Sequence, residues 1–325
     1  MRAALMEDYL DHARNLDCVI ELGKRVDLTI HTTKAASFQD LAQRLAGVEA
    51  VVTIRDRVMF TAQLLETLPD LKVISVCGPR LHPHIDVAAA QASGIAVLAP
   101  AASDSPAVVH RATAEMALAL ILGLAKNSLD NHLNIQSGQW QTHVGKGLSG
   151  KNLGIVGLGK IGGSVAAIGK AMNMNVLAWS PNLTQEKANA AGARAVSFDT
   201  LVEDSDIVTL HANATSESAN LFGRPEFERM RRHALLVNTS RAALIDEMAL
   251  KHALDEGKIA GAGLDVYWQE PLPADHWLRR HPKVLLQPHL GGFTEEGYEW
   301  LIQPAVANLM NYLDQLDKQG GMRRP

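Results

Sequence analysis

The length of the chain, 325 residues, exceeds the usual size of one hydrophobic core, so two domains are expected. The composition is 47% hydrophobic and 20% charged, which is typical of a globular enzyme and excludes low-complexity and fibrous classes. A formal net charge of -4 without a basic stripe argues against a nucleic-acid partner.

The two cysteines, Cys18 and Cys77, lack the C-x-x-C spacing of a redox or metal site, so reduced thiols and no metal are expected. Glu7 and Asp8 come too early in the chain for a signal peptide. The longest apolar run, within residues 114–126, is interrupted by charges and is too short to span a bilayer. We therefore expect a soluble, cytoplasmic protein with no membrane partner.

Short apolar runs alternate with helical patterns in the N-terminal part, which indicates parallel βαβ units. Residues 37–47 and 86–94 have helical patterns, and each segment ends on a glycine suited to a left-handed C-cap. A longer helix is predicted at Ala107–Lys126, with Pro106 beside its first turn. Strands are predicted at Arg2–Met6, Val26–Thr32, Ala50–Ile54, Lys72–Val76 and Ala96–Leu98.

A polar segment, residues 137–150, separates this part from a second alternating series. At the C-terminus an amphipathic helix, about Glu295–Leu316, needs an apolar surface to cover. The alternation predicts an α/β fold with parallel, doubly wound sheets. Strands of the second series are predicted at residues 153–159, 175–180, 206–212, 234–240, 260–266 and 284–290.

A glycine-rich turn follows the first strand of the second series and opens a helix. Gly157, Gly159 and Gly162 form the pattern G-x-G-x-x-G in the context that dinucleotide binding requires. The first glycine permits a tight turn, the second lets a pyrophosphate approach the backbone, and the third lets the helix pack on the sheet. Lys160 and Ile161 lie at the helix N-terminus, whose free N–H groups attract phosphate. A glycine-rich turn without a ligand is the alternative.

The next strand leads into Ser180 and Asn182, where an acidic residue usually binds the adenosine ribose. An Asp at this place would hydrogen-bond the ribose and repel the 2′-phosphate of NADP. Ser180 and Asn182 remove that repulsion, but no Arg follows to bind the phosphate, and Lys187 is the nearest cation. We expect NAD or NADP as the cofactor, with weak discrimination between them.

Three polar residues, Arg241, Glu270 and His289, follow successive strands of the second series. The carboxyl ends of parallel strands meet at the sheet edge where the glycine motif places the nicotinamide, so these side chains are expected to converge. Arg can bind a carboxylate through two hydrogen bonds, and a Glu beside a His favours the imidazolium form. Taken singly, each residue also has an ordinary structural explanation. Arg241 could be a surface ion-pair partner, Glu270 a turn residue before Pro271, and His289 a capped loop histidine.

Several segments together carry a resemblance to a known family, and they lie at residues 154–166 (GIVGLGKIGGSVA), 205–211, 235–250, 259–273 and 285–292. With them the chain resembles the D-isomer-specific 2-hydroxyacid dehydrogenases over nearly its full length. The resemblance implies that Arg241 binds the substrate carboxylate and carbonyl and that His289 is the general acid/base. It implies that Glu270 hydrogen-bonds His289 and keeps it protonated during reduction of a keto acid.

The resemblance also implies an NAD(P)-dependent oxidoreductase that interconverts a small 2-keto acid and a D-2-hydroxy acid, in the range of glyoxylate, hydroxypyruvate and phosphoglycerate. It places Asp265 near the nicotinamide amide and adds His211, Thr239 and Ser240 to the cofactor-binding residues. A formate dehydrogenase is disfavoured because those enzymes carry Gln in place of Glu270. The alternative from another class is a non-catalytic, dinucleotide-sensing regulatory protein on the same fold.

The domain organisation is also implied by the resemblance, which predicts two Rossmann-like domains. Residues 1–101 and 290–325 would form a flavodoxin-like substrate domain, and residues 102–289 would form an inserted cofactor domain. Helix Ala107–Lys126 and the Gly-Gln-Trp segment after it would build a two-fold homodimer.

The resemblance also implies a substrate loop at residues 76–86, whose backbone N–H groups would help to bind the substrate carboxylate. Gly78, Pro79 and Arg80 belong to it, and Arg55 follows a strand on the same side. The loop also contains His82 and His84, whose H-P-H spacing is too weak a signal for a metal site.

Three residues depart from the family pattern. Ala242 replaces a glycine, Asn213 replaces a proline, and Gly292 stands where an aromatic residue is common. If the backbone at Ala242 required positive φ, its methyl group would cost about 1 kcal/mol.

Overall fold

The computed structural model describes residues 1–78, 84–100 and 107–321 of the chain. The chain divides into two compact units, which are residues 1–106 with 295–325 (unit 1) and residues 107–294 (unit 2). The chain passes from one unit to the other at 106/107 and again at 294/295, whereas the expected domain boundaries were 101/102 and 289/290. Each change of unit coincides with the first residue of a long helix.

Unit 1 contains one five-stranded parallel sheet with the strand order β2-β1-β3-β4-β5, the doubly wound order of flavodoxin-like folds. Its strands are β1 (Arg2–Met6), β2 (Asp27–Ile30), β3 (Ala50–Ile54), β4 (Val73–Cys77) and β5 (Ala96–Leu98). Its helices are α1 (Asp17–Arg25), α2 (Phe38–Leu45), α3 (Ala62–Glu66), α4 (Val87–Ala92) and the C-terminal helix α12 (Glu295–Gly321).

The C-terminal helix covers the surface that its amphipathic pattern requires. α12 packs on β3, β4 and α1, and Ser75 on β4 donates a buried hydrogen bond of 2.7 Å to the carbonyl of Ala305. At the rim, Arg25 on α1 forms ion pairs of 2.6 and 2.9 Å with Asp314 and Asp317. Every residue of β3 and β4 is buried, as expected for strands covered on both faces.

Unit 2 contains a seven-stranded parallel sheet with the order β12-β11-β10-β9-β6-β7-β8. Its strands are β6 (Asn152–Val156), β7 (Asn175–Trp179), β8 (Arg194–Ala195), β9 (Ile207–Leu210), β10 (Leu235–Asn238), β11 (Gly261–Leu264) and β12 (Val284–Leu286). Its helices are α5 (Ala107–Lys126), α6 (Ser128–Gln136), α7 (Lys160–Ala171), α8 (Gln185–Ala190), α9 (Phe198–Asp204), α10 (Arg224–Arg229) and α11 (Glu247–Asp255).

The strand order of unit 2 reverses between β6 and β9, which creates the topological switch point of a dinucleotide-binding sheet. The α/β fold with parallel sheets predicted from the alternating pattern is confirmed, and so are the two Rossmann-like domains implied by the family resemblance. β8 and α6 were not predicted. α6 starts directly after Asn127, whose left-handed backbone (φ 49) ends α5 without the glycine or proline that usually marks such a break.

Helix α5 is the one helix of the described residues that is long and apolar enough to cross a membrane by length and composition alone. The run at residues 114–126 was expected to be too short for this, but it belongs to a helix of 20 residues. Within unit 2, α5 packs against α7, β10 and β11 and buries Ala117, Leu120 and Ile121. Packing within unit 2 therefore accounts for part of its apolar surface.

A carboxylate at the N-terminal ends of the strands in the unit 2 sheet links three of these strands. Asp206, just before β9, accepts a hydrogen bond of 2.8 Å from the N–H of Asn152 and lies 2.7 Å from Nε2 of His233. Arg231 adds an ion pair at 3.3 Å. Burial by itself would raise the pKa of Asp206, but the Asn152 N–H, His233 and Arg231 outweigh it and hold this pKa below its usual range.

We expect Asp206→Asn to lower the free energy of unfolding by about 1–2 kcal/mol at neutral pH. The carboxylate stabilises the fold above its ordinary pKa, because its pKa is lowered on folding, and this contribution is lost as the pH falls through the folded value. The stabilities of parent and variant in urea titrations should therefore converge as the pH is lowered through the folded pKa of Asp206. Asp204→Asn, at a carboxylate 49% exposed, is the matched control and should change little. An equal loss in Asp206→Asn at neutral pH and below that pKa would contradict the assignment.

Candidate active site

The glycine motif forms the turn between β6 and α7. Gly157 has positive φ (97°), and a Cβ atom added there would lie 2.5 Å from the backbone nitrogen of Ala212. On Gly162 an added Cβ would lie 2.1 Å from the carbonyl oxygen of Gly157. A Cβ on Gly159, in contrast, would meet no heavy atom within 4 Å. Packing therefore requires the first and third glycines, while the second leaves open space where a phosphate can approach the backbone.

The N-terminus of α7 provides the anion-binding groups of this turn. Gly159 is the N-cap of this 12-residue helix, so the N–H groups of Lys160, Ile161 and Gly162 lie in its first turn. Together with the positive end of the helix dipole, such groups bind phosphate. The residues present therefore fit a dinucleotide pyrophosphate.

Ser180 has a structural role that the sequence did not reveal. It follows β7, and its hydroxyl oxygen accepts a hydrogen bond of 2.9 Å from the N–H of Leu158, the middle residue of the glycine turn. The turn is also held by Gly157, whose N–H donates to the carbonyl of Trp179 at 2.8 Å. Asn182 is exposed. The hydroxyl group at the expected ribose position thus already fixes the phosphate-binding turn.

His211, Thr239 and Ser240 lie at the carboxyl ends of β9 and β10. Nε2 of His211 lies 2.9 Å from the hydroxyl of Thr209, and the Ser240 hydroxyl donates a bond of 2.6 Å to the carbonyl of Ala212. Burial lowers the pKa of His211 to about 4, so its imidazole is neutral near pH 7. Within the part of the chain that the structure describes, His211 Nδ1 and the Thr239 hydroxyl are buried without a hydrogen-bond partner.

The backbone around Arg241 is fixed by a buried amide. The Asn238 side chain accepts a bond of 2.9 Å from the N–H of Ser240 and donates one of 2.9 Å to the carbonyl of Arg241. The Arg241 side chain is exposed, and its guanidinium donates to the carbonyl of Ser240 at 2.8 Å. Ala242 begins a 3₁₀ helix without positive φ, so the methyl group that replaces the family glycine causes no strain there.

His289 and Glu270 are hydrogen-bonded to each other. Nδ1 of His289 lies 2.7 Å from Oε2 of Glu270, and Oε1 of Glu270 accepts a bond of 3.0 Å from the N–H of Tyr267. The carboxylate is thus held on both oxygens. With Nδ1 directed at Glu270, the second ring nitrogen of His289, Nε2, is left to exchange a proton.

Asp265 is buried beside the His289 segment. Its two oxygens accept hydrogen bonds of 2.7 and 2.8 Å from the N–H groups of Leu290 and Gly291. Burial is the largest effect on this carboxyl and raises its pKa to about 6, while the two N–H donors and His289 oppose the rise. The family resemblance implied that Asp265 lies near the nicotinamide. In the structure its two oxygens hold the backbone that directly follows His289.

The predicted substrate loop is described only in part. Gly78 has positive φ (119°) directly after β4, and Arg55 follows β3 with φ 51° and donates its N–H to the carbonyl of Cys77. Both residues lie at the carboxyl edge of the unit 1 sheet. Pro79 and Arg80 lie outside the described residues. Among the described residues, no group of three or more His, Cys, Asp or Glu side chains is arranged to hold a metal ion.

A family model for the NAD-binding domain of D-isomer-specific 2-hydroxyacid dehydrogenases matches residues 118–291. The chain belongs to this family. The matched range contains the glycine turn and the segments of Arg241, Glu270 and His289. Membership of this family makes the protein an oxidoreductase that uses NAD(P). The prediction from the sequence that it is an enzyme is therefore confirmed.

Sequence and structural similarity to individual proteins supports this family membership. The dehydrogenase is 36% identical to a glyoxylate reductase of Thermococcus litoralis over 84% of this chain and 82% of the relative. It is 34% identical to a D-3-phosphoglycerate dehydrogenase of Archaeoglobus fulgidus, covering 85% of this chain but only 52% of that relative. The crystal structure of a phosphoglycerate oxidoreductase from Vibrio cholerae superposes with a TM-score of 0.88, at 31% identity, over 97% of this chain and 99% of that one.

Proposed function

We propose that the dehydrogenase reduces a small 2-keto acid of the glyoxylate and hydroxypyruvate class to the D-2-hydroxy acid. The observation that supports this proposal is the 2.7 Å hydrogen bond between His289 and Glu270, on the sheet edge that also carries Arg241. An acid/base pair serves interconversion of a carbonyl and an alcohol, in which a proton must move. The glyoxylate reductases among the relatives carry out a reaction of this class by their names.

His289 acts as the general acid in the reducing direction. Glu270 accepts a hydrogen bond from the Nδ1–H group and fixes the orientation of the ring. Nε2 then donates its proton to the carbonyl oxygen of the substrate. NAD(P)H, when bound, supplies the hydride that reduces the carbonyl carbon. One hydride and one proton convert the keto acid into the hydroxy acid, and in the oxidising direction His289 accepts the proton.

Arg241 supplies the positive charge for the substrate carboxylate and carbonyl oxygen. Its side chain is exposed, and its guanidinium donates to the carbonyl of Ser240, an interaction that a carboxylate readily replaces. Within unit 1, the proposal assigns substrate contacts to Arg55 and Gly78. The cofactor contacts are assigned to Gly157, Gly159, Lys160, Ile161, Gly162, Ser180, Asn182, His211, Thr239, Ser240 and Asp265.

We also propose the homodimer expected from helix α5 and the Gly-Gln-Trp segment, and we add α6, which lies between them, to the surface that builds it. The exposed apolar side chains of this part include Trp140 (74% exposed) and Val144 (95% exposed). The segment is held in place by hydrogen bonds from Asn131 and Asn134 and by the N–H of Lys146, which donates to the carbonyl of Ala125. A fixed segment that presents large apolar groups to water is suited to bury them against a second copy of the chain.

The catalytic assignment is tested by the kinetics of three variants with glyoxylate and hydroxypyruvate, followed by the absorbance of the reduced nicotinamide. His289→Ala should lower kcat by about 100- to 10,000-fold, because the proton donor is lost. Arg241→Ala should mainly raise KM, and Glu270→Gln should lower kcat by about 10- to 100-fold, because the imidazole loses the carboxylate that orients it. Parental kcat in His289→Ala would contradict the assignment.

Cofactor choice is tested through Ser180. For the parent we expect kcat/KM values for NADH and NADPH that differ by less than about a thousandfold. Ser180→Asp should raise the NADH-to-NADPH ratio by about 10- to 100-fold, because a carboxylate repels the 2′-phosphate while still accepting the N–H of Leu158. Ser180→Thr retains a hydroxyl and is the control. An unchanged ratio in Ser180→Asp would show that another position decides.

The dimer is tested by light scattering during size-exclusion chromatography. The parent should elute as a dimer, and Trp140→Lys combined with Val144→Glu should elute as a folded monomer, because charges replace the buried apolar contact. Met248→Lys, at a side chain 68% exposed on α11, is the matched control and should stay dimeric. A monomeric parent at micromolar concentration would contradict the proposal.

A further inference from the structure

The backbone of His289 adopts a conformation that is uncommon for a residue with a side chain. Its φ is 57°, in the left-handed region that side chains with a Cβ rarely occupy. Such a conformation persists when the surrounding structure imposes it. The interactions on either side of His289 therefore determine where its imidazole points.

On the C-terminal side, one carboxylate fixes two successive peptide groups. Asp265 is 1% exposed, and its oxygens accept the N–H groups of Leu290 and Gly291, the two residues directly after His289. Two short bonds from adjacent N–H groups define both the position and the rotation of this piece of backbone. Asp265 itself follows β11 without a gap, so it is anchored to the sheet.

On the N-terminal side, a tyrosine hydroxyl fixes the chain before His289. The Tyr267 hydroxyl donates to the carbonyl of Gln287 at 2.7 Å and lies 3.1 Å from the carbonyl of Leu264. The Gln287 carbonyl also accepts the N–H of His289 at 3.0 Å. Burial raises the pKa of Tyr267, so the hydroxyl remains protonated and can donate. Tyr267 thus joins the end of β11 to the turn that carries His289.

We propose that Tyr267 and Asp265 are positioning residues that together impose the left-handed backbone of His289 and aim its imidazole at Glu270. The inference rests on the proposed role of His289 as the general acid. Tyr267 contributes twice, because its backbone N–H also holds the second oxygen of Glu270. Both members of the acid/base pair are therefore set by the same short segment after β11.

Gly291 completes this arrangement because no side chain fits between it and Asp265. A Cβ atom added to Gly291 would lie 2.8 Å from Oδ2 of Asp265 and 3.4 Å from Cγ2 of Thr113. Its φ is not positive, so alanine is compatible with the backbone itself. Gly291→Ala therefore displaces the carboxylate without removing it, which makes it a graded test of the Asp265 contact.

The experiment compares Tyr267→Phe and Gly291→Ala with the parent and with Ser205→Ala. Ser205 donates a buried hydroxyl bond of 2.6 Å to the carbonyl of Leu201 at the opposite edge of the same sheet, so it controls for loss of a buried hydrogen bond. Tyr267→Phe should lower kcat by about 10- to 100-fold, because the imidazole of His289 is no longer held in its productive orientation. The Kd of NADH, measured by fluorescence, should stay within about twofold.

Gly291→Ala should change kcat in the same direction as Tyr267→Phe, whereas Ser205→Ala should lower only Tm. Parental kcat in Tyr267→Phe, with only a lower Tm, would overturn the inference, because the hydroxyl would then serve stability alone. The same result in Gly291→Ala would overturn it for Asp265.

A second readout separates this inference from the proposed function. The imidazole N–H of His289 that is bonded to Glu270 gives a downfield proton resonance, identified by its loss in His289→Gln. Tyr267→Phe should shift or broaden this resonance, and an unchanged resonance would overturn the inference. If the parent turns over neither keto acid, the proposed function fails, and the resonance still decides whether Tyr267 positions His289.

Discussion

Parallel hydrogen bonding among β10, β11 and β12 is the constraint on which the candidate active site depends. The register pairs Asn238 with Leu264, and Leu264 with Leu286, so the three strands end side by side. The residues that follow them are brought to one edge whatever their side chains are. What the side chains then decide is local: Asn238 shapes the Arg241 turn, and Asp265 shapes the His289 turn. The sheet supplies proximity, and buried side chain–backbone bonds supply orientation.

The buried polar groups of this edge show why orientation is obtained in this way. A buried carboxylate without partners would be costly, and Asp265 reduces that cost by accepting hydrogen bonds from two backbone N–H groups. Asn238, 0% exposed, uses both ends of its amide in the same manner. Each side chain and the backbone it holds satisfy one another, so neither can move alone. A site built from such reciprocal bonds is rigid before any ligand binds.

Much of the fold follows from periodicity, because β1, β3, β5 and α5 have the predicted bounds. Strand ends were predicted less well: the strand expected at residues 234–240 stops at Asn238, where a side chain–backbone bond redirects the chain. The pairing of His289 with Glu270 was expected from residue types and strand order. Tyr267 was missed because a tyrosine next to a strand of apolar residues has the pattern of a core residue. The bond from Leu158 to Ser180 depends on the shape of the turn, which no local pattern encodes.

The space around each glycine of unit 2 shows whether packing within the chain requires a glycine there or whether a ligand is needed to explain it. Gly157, Gly162 and Gly291 each have a neighbour so close that an added Cβ would lie at most 2.8 Å away, so packing alone accounts for them. Gly159 has no such neighbour, and its backbone does not have positive φ. Neither strain nor crowding within the chain explains a glycine at that position. A side chain at this position would occupy the open space at the N-terminus of α7. A glycine there is explained if the cofactor pyrophosphate binds in that space.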